Sequence, residues 1–291
     1  MQEPTGSFKP GEYFKPTTIQ EAVELLSRFG DVAWPIAGGT DVMVEKNPSI
    51  RVLVDVTGLG LTYIAPDDGG ISIGAATTIA DVAASSLLRR GPYHILSKAA
   101  QELGTPQIRN MATLGGNLCR PSPASDCAPP LLVLDARLSA VGTAGKREIP
   151  IHHFFRGVNQ DALGQGEILT EIRLPFLPER TGTAFLKKGR VAVADLSIVS
   201  AAVRVTLNRG EVCGEARIAL GSVAPFPMRV KKAEELLSGK GVTKDLLRAV
   251  AQLASEEIRP ITDLRASAEY RKTLSRVLVE QALQEALDKI T

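Results

Sequence analysis

The sequence predicts an α+β protein with more than one domain. Three observations carry this. Helical and short strand-like segments alternate over the first 55 residues or so. A strand, turn and strand at 63–75 then opens a second unit of helices and strands. Beyond Pro178 and Gly182 the order changes to strands first and helices after. Taking roughly 150 residues per domain as a soft guide, 291 residues leave room for about two such bodies. The expected division of the chain is 1–58, 59–177 and 178–291, with Pro178 and Gly182 marking the last boundary.

In order, Thr18 followed by Glu21 reads as a capping box. Ile19, Ala22, Val23, Leu26 and Phe29 then form one apolar face of a helix. A short apolar run, Val32 to Ile36, leads into Ala37-Gly38-Gly39-Thr40, and a second short run, Arg51 to Asp55, follows. Tyr63 to Ala75 reads as two strands about a turn at Pro66 to Gly70, and Thr78 with Asp81 opens another helix. A helical stretch is expected from about Tyr93 to Leu103. Residues 104–130 concentrate Gly, Pro, Ser, Asn and Asp between that helix and a strand-like run, Leu131 to Asp135, which marks a binding loop.

After a loop at 157–166, Glu167 to Leu174 reads as a strand ended by Pro175. Val199, Ala201, Val203, Val205 and Leu207 alternate on one face of a further strand. After a turn at Asn208-Arg209-Gly210, Val212, Gly214, Ala216, Ile218 and Leu220 alternate on the return, as in a long hairpin. Helices are expected at about 229–238, 243–258 and 267–289.

With 44% hydrophobic and 23% charged residues, the chain has the composition of a globular protein, which excludes collagen, coiled-coil and disordered classes. A formal net charge of +2, without charge blocks, gives no electrostatic footprint for nucleic acid or membrane. Met1 to Gly6 lacks a leader pattern and no window is long and apolar enough to span a bilayer, so a cytoplasmic location is expected. Cys119, Cys127 and Cys213 fit neither a disulfide framework nor a metal or iron–sulfur site. His152 and His153 have no neighbours that complete a catalytic or metal constellation, and no catalytic or metal-ligating residue is assigned.

Two glycine pairs, Gly38-Gly39 and Gly115-Gly116, lie in loops beside Thr40, Thr113 and Asn117. Residues without a Cβ let backbone N–H groups approach a pyrophosphate closely, so two such loops suit a clamp on one dinucleotide; each pair alone is also compatible with a tight turn. Neither matches the Rossmann or P-loop fingerprint.

The first loop, Pro35-Ile36-Ala37-Gly38-Gly39-Thr40-Asp41-Val42, resembles the first flavin loop of the FAD-binding subunits of molybdenum hydroxylases. The segment Pro106 to Cys119, including Thr113-Leu114-Gly115-Gly116-Asn117, is similar to their second flavin loop, and Ser122-Pro123-Ala124-Ser125-Asp126 continues the likeness. Arg217 to Arg229 and Arg265 to Arg271 resemble segments of the family's C-terminal domain. The resemblance implies a two-subdomain FAD-binding domain of the vanillyl-alcohol-oxidase/CO-dehydrogenase flavoprotein type, followed by an α+β C-terminal domain.

It further implies that the two loops hold the FAD diphosphate and that Asp126 makes a polar contact with the cofactor. Leu103 and Leu169 would lie near the isoalloxazine, with Lys187 beside the ring. One departure stands out, because Val191 occupies a position where many members carry arginine, four residues before Asp195. The implied partners are a large subunit with molybdenum cofactor, a small subunit with 2Fe-2S clusters, and NAD or another electron acceptor. Two other readings use the same residues: a stand-alone flavin oxidase, and an assembly subunit that has lost flavin.

Overall fold

The computed structural model describes residues 8–191 and 195–290. Met1 to Gly6, read above for a leader pattern, lies outside them. The first unit comprises β1 (Glu12–Phe14), α1 (Ile19–Phe29), β2 (Ala33–Ile36), the single turn α2 (Val42–Glu45) and β3 (Val52–Asp55). Its three strands pair in parallel in the order β1-β3-β2. Thr18 caps α1, its Oγ1 accepting the Glu21 N–H at 3.1 Å, while the Glu21 carboxylate accepts the Thr17 N–H at 2.9 Å. The reciprocal bond thus falls one residue earlier than in a strict capping box. Ala22, Val23 and Leu26 bury the expected face, and α1 ends at Gly30 with φ +58°.

The second unit runs through β4 (Ile64–Asp67), β5 (Gly70–Gly74), α3 (Ile79–Ala84), α4 (His94–Glu102), α5 (Pro106–Met111), α6 (Leu114–Cys119), α7 (Ala128–Val133), β6 (Arg137–Gly142), β7 (Gly145–Pro150), β8 (Phe155–Gly157), β9 (Gln160–Asp161) and β10 (Ile168–Pro175). Its main sheet is antiparallel, in the order β4-β5-β10-β6-β7. The run beginning at Leu131, expected as a strand, is instead the end of α7, buried along its whole length. A short continuous apolar run has no period that separates a strand from a buried helix. Here Pro129 and Pro130 preset the first turn, where their missing N–H groups cost nothing.

The third unit holds β11 (Thr181–Lys188), β12 (Val199–Leu207), β13 (Cys213–Gly221) and β14 (Met228–Arg229), in that order across an antiparallel sheet, then α8 (Lys231–Leu237), α9 (Lys244–Glu257) and α10 (Ala268–Asp288). The hairpin pairs Ala201 with Leu220 and Val205 with Ala216. All nine residues of β12 are buried, so both faces of the strand are covered, not one. The apolar face that alternation picks out packs into the core shared with α9 and α10, while Ala202 joins the core of the second unit. Arg204, on that second face, is buried and ion-paired at 2.8 Å with Asp135 just beyond α7; Arg217 and Arg229 each reach Asp135 at 3.1 Å. This cluster ties the third unit to the second.

Candidate functional site

A cavity of about 940 Å³ opens between the first and second units, with Asp195 and Leu196 contributed from the third. The loop 37–41 leaves the end of β2 and forms one wall. Its two glycines serve different purposes. A Cβ on Gly38 would fall 1.7 Å from the Met111 carbonyl oxygen, so this position must be glycine for the first loop to abut the end of α5. Gly39 takes φ +68°, the left-handed region that glycine adopts without strain. The N–H groups of Gly38, Gly39, Thr40 and Asp41 donate to no other group among the described residues. The loop therefore brings a run of unpartnered backbone donors to the cavity wall, as an anion site requires.

The second loop is built differently. Leu114 N–H donates to Thr77 O at 2.9 Å, Gly115 N–H to Ala75 O at 2.8 Å, and Asn117 N–H to Thr113 O at 3.0 Å. Gly116 N–H is taken by Thr113 Oγ1 at 3.1 Å, the cap of α6. Its backbone donors are spent on its own fold, and it offers the cavity side chains instead. Ser125 Oγ donates to Asn117 Oδ1 at 2.8 Å, which occupies the amide oxygen and leaves the NH₂ as donor. Gly115 is needed for close approach, since a Cβ there would meet Ala75 O at 2.7 Å. At Gly116 a Cβ would meet only Thr113 Oγ1, at 2.9 Å.

Of the expected site residues, all but three line this cavity: Pro35, Ala37, Gly38, Gly39, Thr40, Asp41, Val42, Leu103, Thr113, Gly115, Gly116, Asn117, Asp126 and Leu169. Ile36 supports Gly39 from below, with Cδ1 placed 3.5 Å from where a Cβ would stand. Leu114 is fully buried in the core of the second unit. Lys187 reaches Asp126 instead of the cavity, its Nζ donating to Asp126 Oδ2 at 2.8 Å and to Glu102 O at 3.0 Å.

The Asp126 carboxyl is pushed up to about 6 by burial, with the Lys187 ammonium acting the other way. Its second oxygen, Oδ1, is buried and has no partner among the described residues. Burial also raises the carboxyls of Asp41 and Asp161, which line the same cavity, and it pushes up the Cys119 thiol, which keeps that thiol protonated. Val191 is exposed, and its N–H and that of Arg190 both donate to the Asp195 carboxylate. Residues that sequence reasoning missed include Arg120, which directly follows the second glycine motif, and the wall formed by Leu163 to Ile168. That wall carries no motif, only the loop composition noted at 157–166.

Residues 6–177 match the family of FAD binding domains in molybdopterin dehydrogenase. This chain belongs to the FAD-binding subunits of the molybdenum hydroxylase family. Residues 184–286 match the CO dehydrogenase flavoprotein C-terminal domain, so the family's two-part architecture accounts for nearly the whole chain. The chain is similar to the xanthine dehydrogenase FAD-binding subunit of Escherichia coli O157:H7, at 32% identity over 96% of this chain and 97% of the other. It is 30% identical to the nicotinate dehydrogenase FAD-subunit of Eubacterium barkeri, covering 97% and 98% of the two chains. A chain from the carbon monoxide dehydrogenase of Hydrogenophaga pseudoflava superimposes with a TM-score of 0.92 at 30% identity, over 97% and 98% of the two chains.

FAD is the family's cofactor, and the cavity is furnished for it. A diphosphate matches the free N–H groups of the first loop, and the unpartnered Asp126 Oδ1 matches an N–H donor on a ring system. Among the described residues, no helix is long and apolar enough to cross a membrane and no cluster is suited to a metal ion.

Proposed function

We propose that this chain holds FAD in the cavity between its first two units, and that it relays electrons from the 2Fe-2S clusters of a small partner subunit to NAD or another acceptor. A large partner subunit with molybdenum cofactor would oxidise the substrate. FAD supplies the step between one-electron and two-electron chemistry. The single observation that carries the reading is the pairing, in one cavity, of a backbone with four free N–H donors and a buried carboxylate oxygen that lacks a donor.

The chain's own residues then have distinct tasks. Gly38 to Asp41 would bind the diphosphate through the backbone, with Thr40, Thr113 and Asn117 adding side-chain donors. Leu103 and Leu169 would flank the ring system and exclude water. Asp126, with its spare oxygen, would accept a ring N–H, and Lys187 would hold the carboxylate in place from behind.

Co-purification with the partner chains followed by anaerobic addition of the complex's substrate tests the relay. Bleaching of the flavin only when the iron–sulfur partner is present is the expected result. Flavin reduced by substrate in the isolated chain would favour a stand-alone oxidase instead.

A further inference from the structure

Arg120 is the one cationic side chain lining the cavity among the described residues, against six acidic ones, Asp31, Asp41, Asp126, Asp161, Glu167 and Asp195. A diphosphate brought into that company needs a cation to offset the repulsion. The Arg120 guanidinium reaches from the end of α6 across to Glu45 of α2, joining the second unit to the first. Its Nε–H is buried and has no partner among the described residues. Asp41, the last residue of the free-donor loop, feels the Arg120 charge, which opposes the effect of burial on its carboxyl.

We propose that Arg120 is a phosphate ligand of this cavity, using its charge and the exposed part of its guanidinium on the diphosphate that the free N–H groups of Gly38 to Asp41 would also bind. A planar guanidinium presents paired donors in the geometry of a phosphate, and Glu45 orients it from the other side. The inference rests on the FAD reading and adds a residue to it.

Fluorescence titration of the flavin-free chain with FAD and with riboflavin, which has no phosphate, tests the assignment in the parent, Arg120→Ala and Glu45→Gln. Arg120→Ala should weaken FAD binding by about 10- to 100-fold and leave riboflavin within about twofold. Glu45→Gln should bind FAD at least as tightly as the parent, because the Gln amide oxygen can still accept from the guanidinium and orient it while the competing negative charge is gone. Equal FAD affinity in Arg120→Ala and the parent would overturn the assignment. So would an equal loss of riboflavin, or a Glu45→Gln variant as weak as Arg120→Ala, since either would make Arg120 a clamp between units. A parent chain that binds neither flavin would sink the FAD reading itself.

Discussion

Lys187 Nζ lies 2.8 Å from Asp126 Oδ2 with both side chains buried, while Oδ1 of the same carboxylate has no partner among the described residues. A lysine on β11 thus holds one oxygen of a carboxylate at the cavity wall, and the other oxygen is buried beside it with no donor among the described residues. Among the described residues, Lys187 meets the cavity lining only through Asp126 and, at its back, the Glu102 carbonyl.

Replacing Lys187 tests that linkage. Burial already holds the Asp126 carboxyl at about 6 with the lysine present, so Lys187→Ala should leave Asp126 protonated at neutral pH. An acceptor then becomes a donor, and FAD affinity should fall roughly tenfold. Lys188, the next residue along the strand, is exposed and faces the other way, so Lys188→Ala should leave affinity unchanged. Equal affinities in the two variants would detach Lys187 from the site.

The raised Asp126 carboxyl also predicts a pH dependence. In the folded chain Asp126 binds its proton more tightly than in the unfolded chain, about 6 against 3.8. Its contribution to stability is therefore complete below pH 4 and lost as pH rises through 6. The loss should amount to about 2–3 kcal/mol. Urea unfolding of the flavin-free chain between pH 4 and 7 should show this decline relative to Asp126→Asn, which cannot titrate. Parallel curves for the two proteins would show that Asp126 titrates normally.

Gly38 and Gly116 should respond differently to substitution. Gly38→Ala drives a Cβ into the Met111 carbonyl and should destabilise the fold by about 3 kcal/mol or more. At Gly116 a Cβ meets only Thr113 Oγ1, at 2.9 Å, so Gly116→Leu should displace the cap of α6 at a cost of about 1 kcal/mol, less than at Gly38, while losing FAD. Thermal melts paired with flavin content distinguish the two. A Gly116→Leu chain that retains full FAD would remove the second loop from the site.

Asp135 holds three arginines at the junction of the second and third units. Asp135→Ala leaves the buried Arg204 with Glu215 as its remaining anionic partner, and should cost about 2–4 kcal/mol. Denaturant unfolding gives the value, and a change below 0.5 kcal/mol would place the cluster among ordinary surface ion pairs.

Much of this was legible in the sequence because it rests on local rules. Thr18, Thr78 and the alternation along 199–220 signal their elements directly. The glycine loops stood out for the same reason, but their difference did not. Whether Gly116 N–H is free depends on the Thr113 hydroxyl turning back to cap α6, which is a matter of geometry rather than residue type. The covered second face of β12 was equally hidden, since alternation at 199–207 marks one face only, and α7 packs on the other, where Ala202 and Arg204 lie. Lys187 was marked only by the family resemblance, and its buried side chain contrasts with exposed Lys188 beside it on the strand. What Lys187 meets, the end of α4 and Asp126, is a contact between residues 61 positions or more apart in the chain.

Acid precipitation of the purified chain, with the flavin in the supernatant identified and counted by its absorption and by chromatography, tests whether the cavity between the first two units is a FAD site. Close to one FAD released per chain, with none left in the pellet, is the expected result. Neither loop presents a histidine, and the Cys119 thiol is held protonated by burial, which opposes covalent attachment. A colourless chain that takes up no FAD on reconstitution, or flavin retained in the pellet, would contradict it.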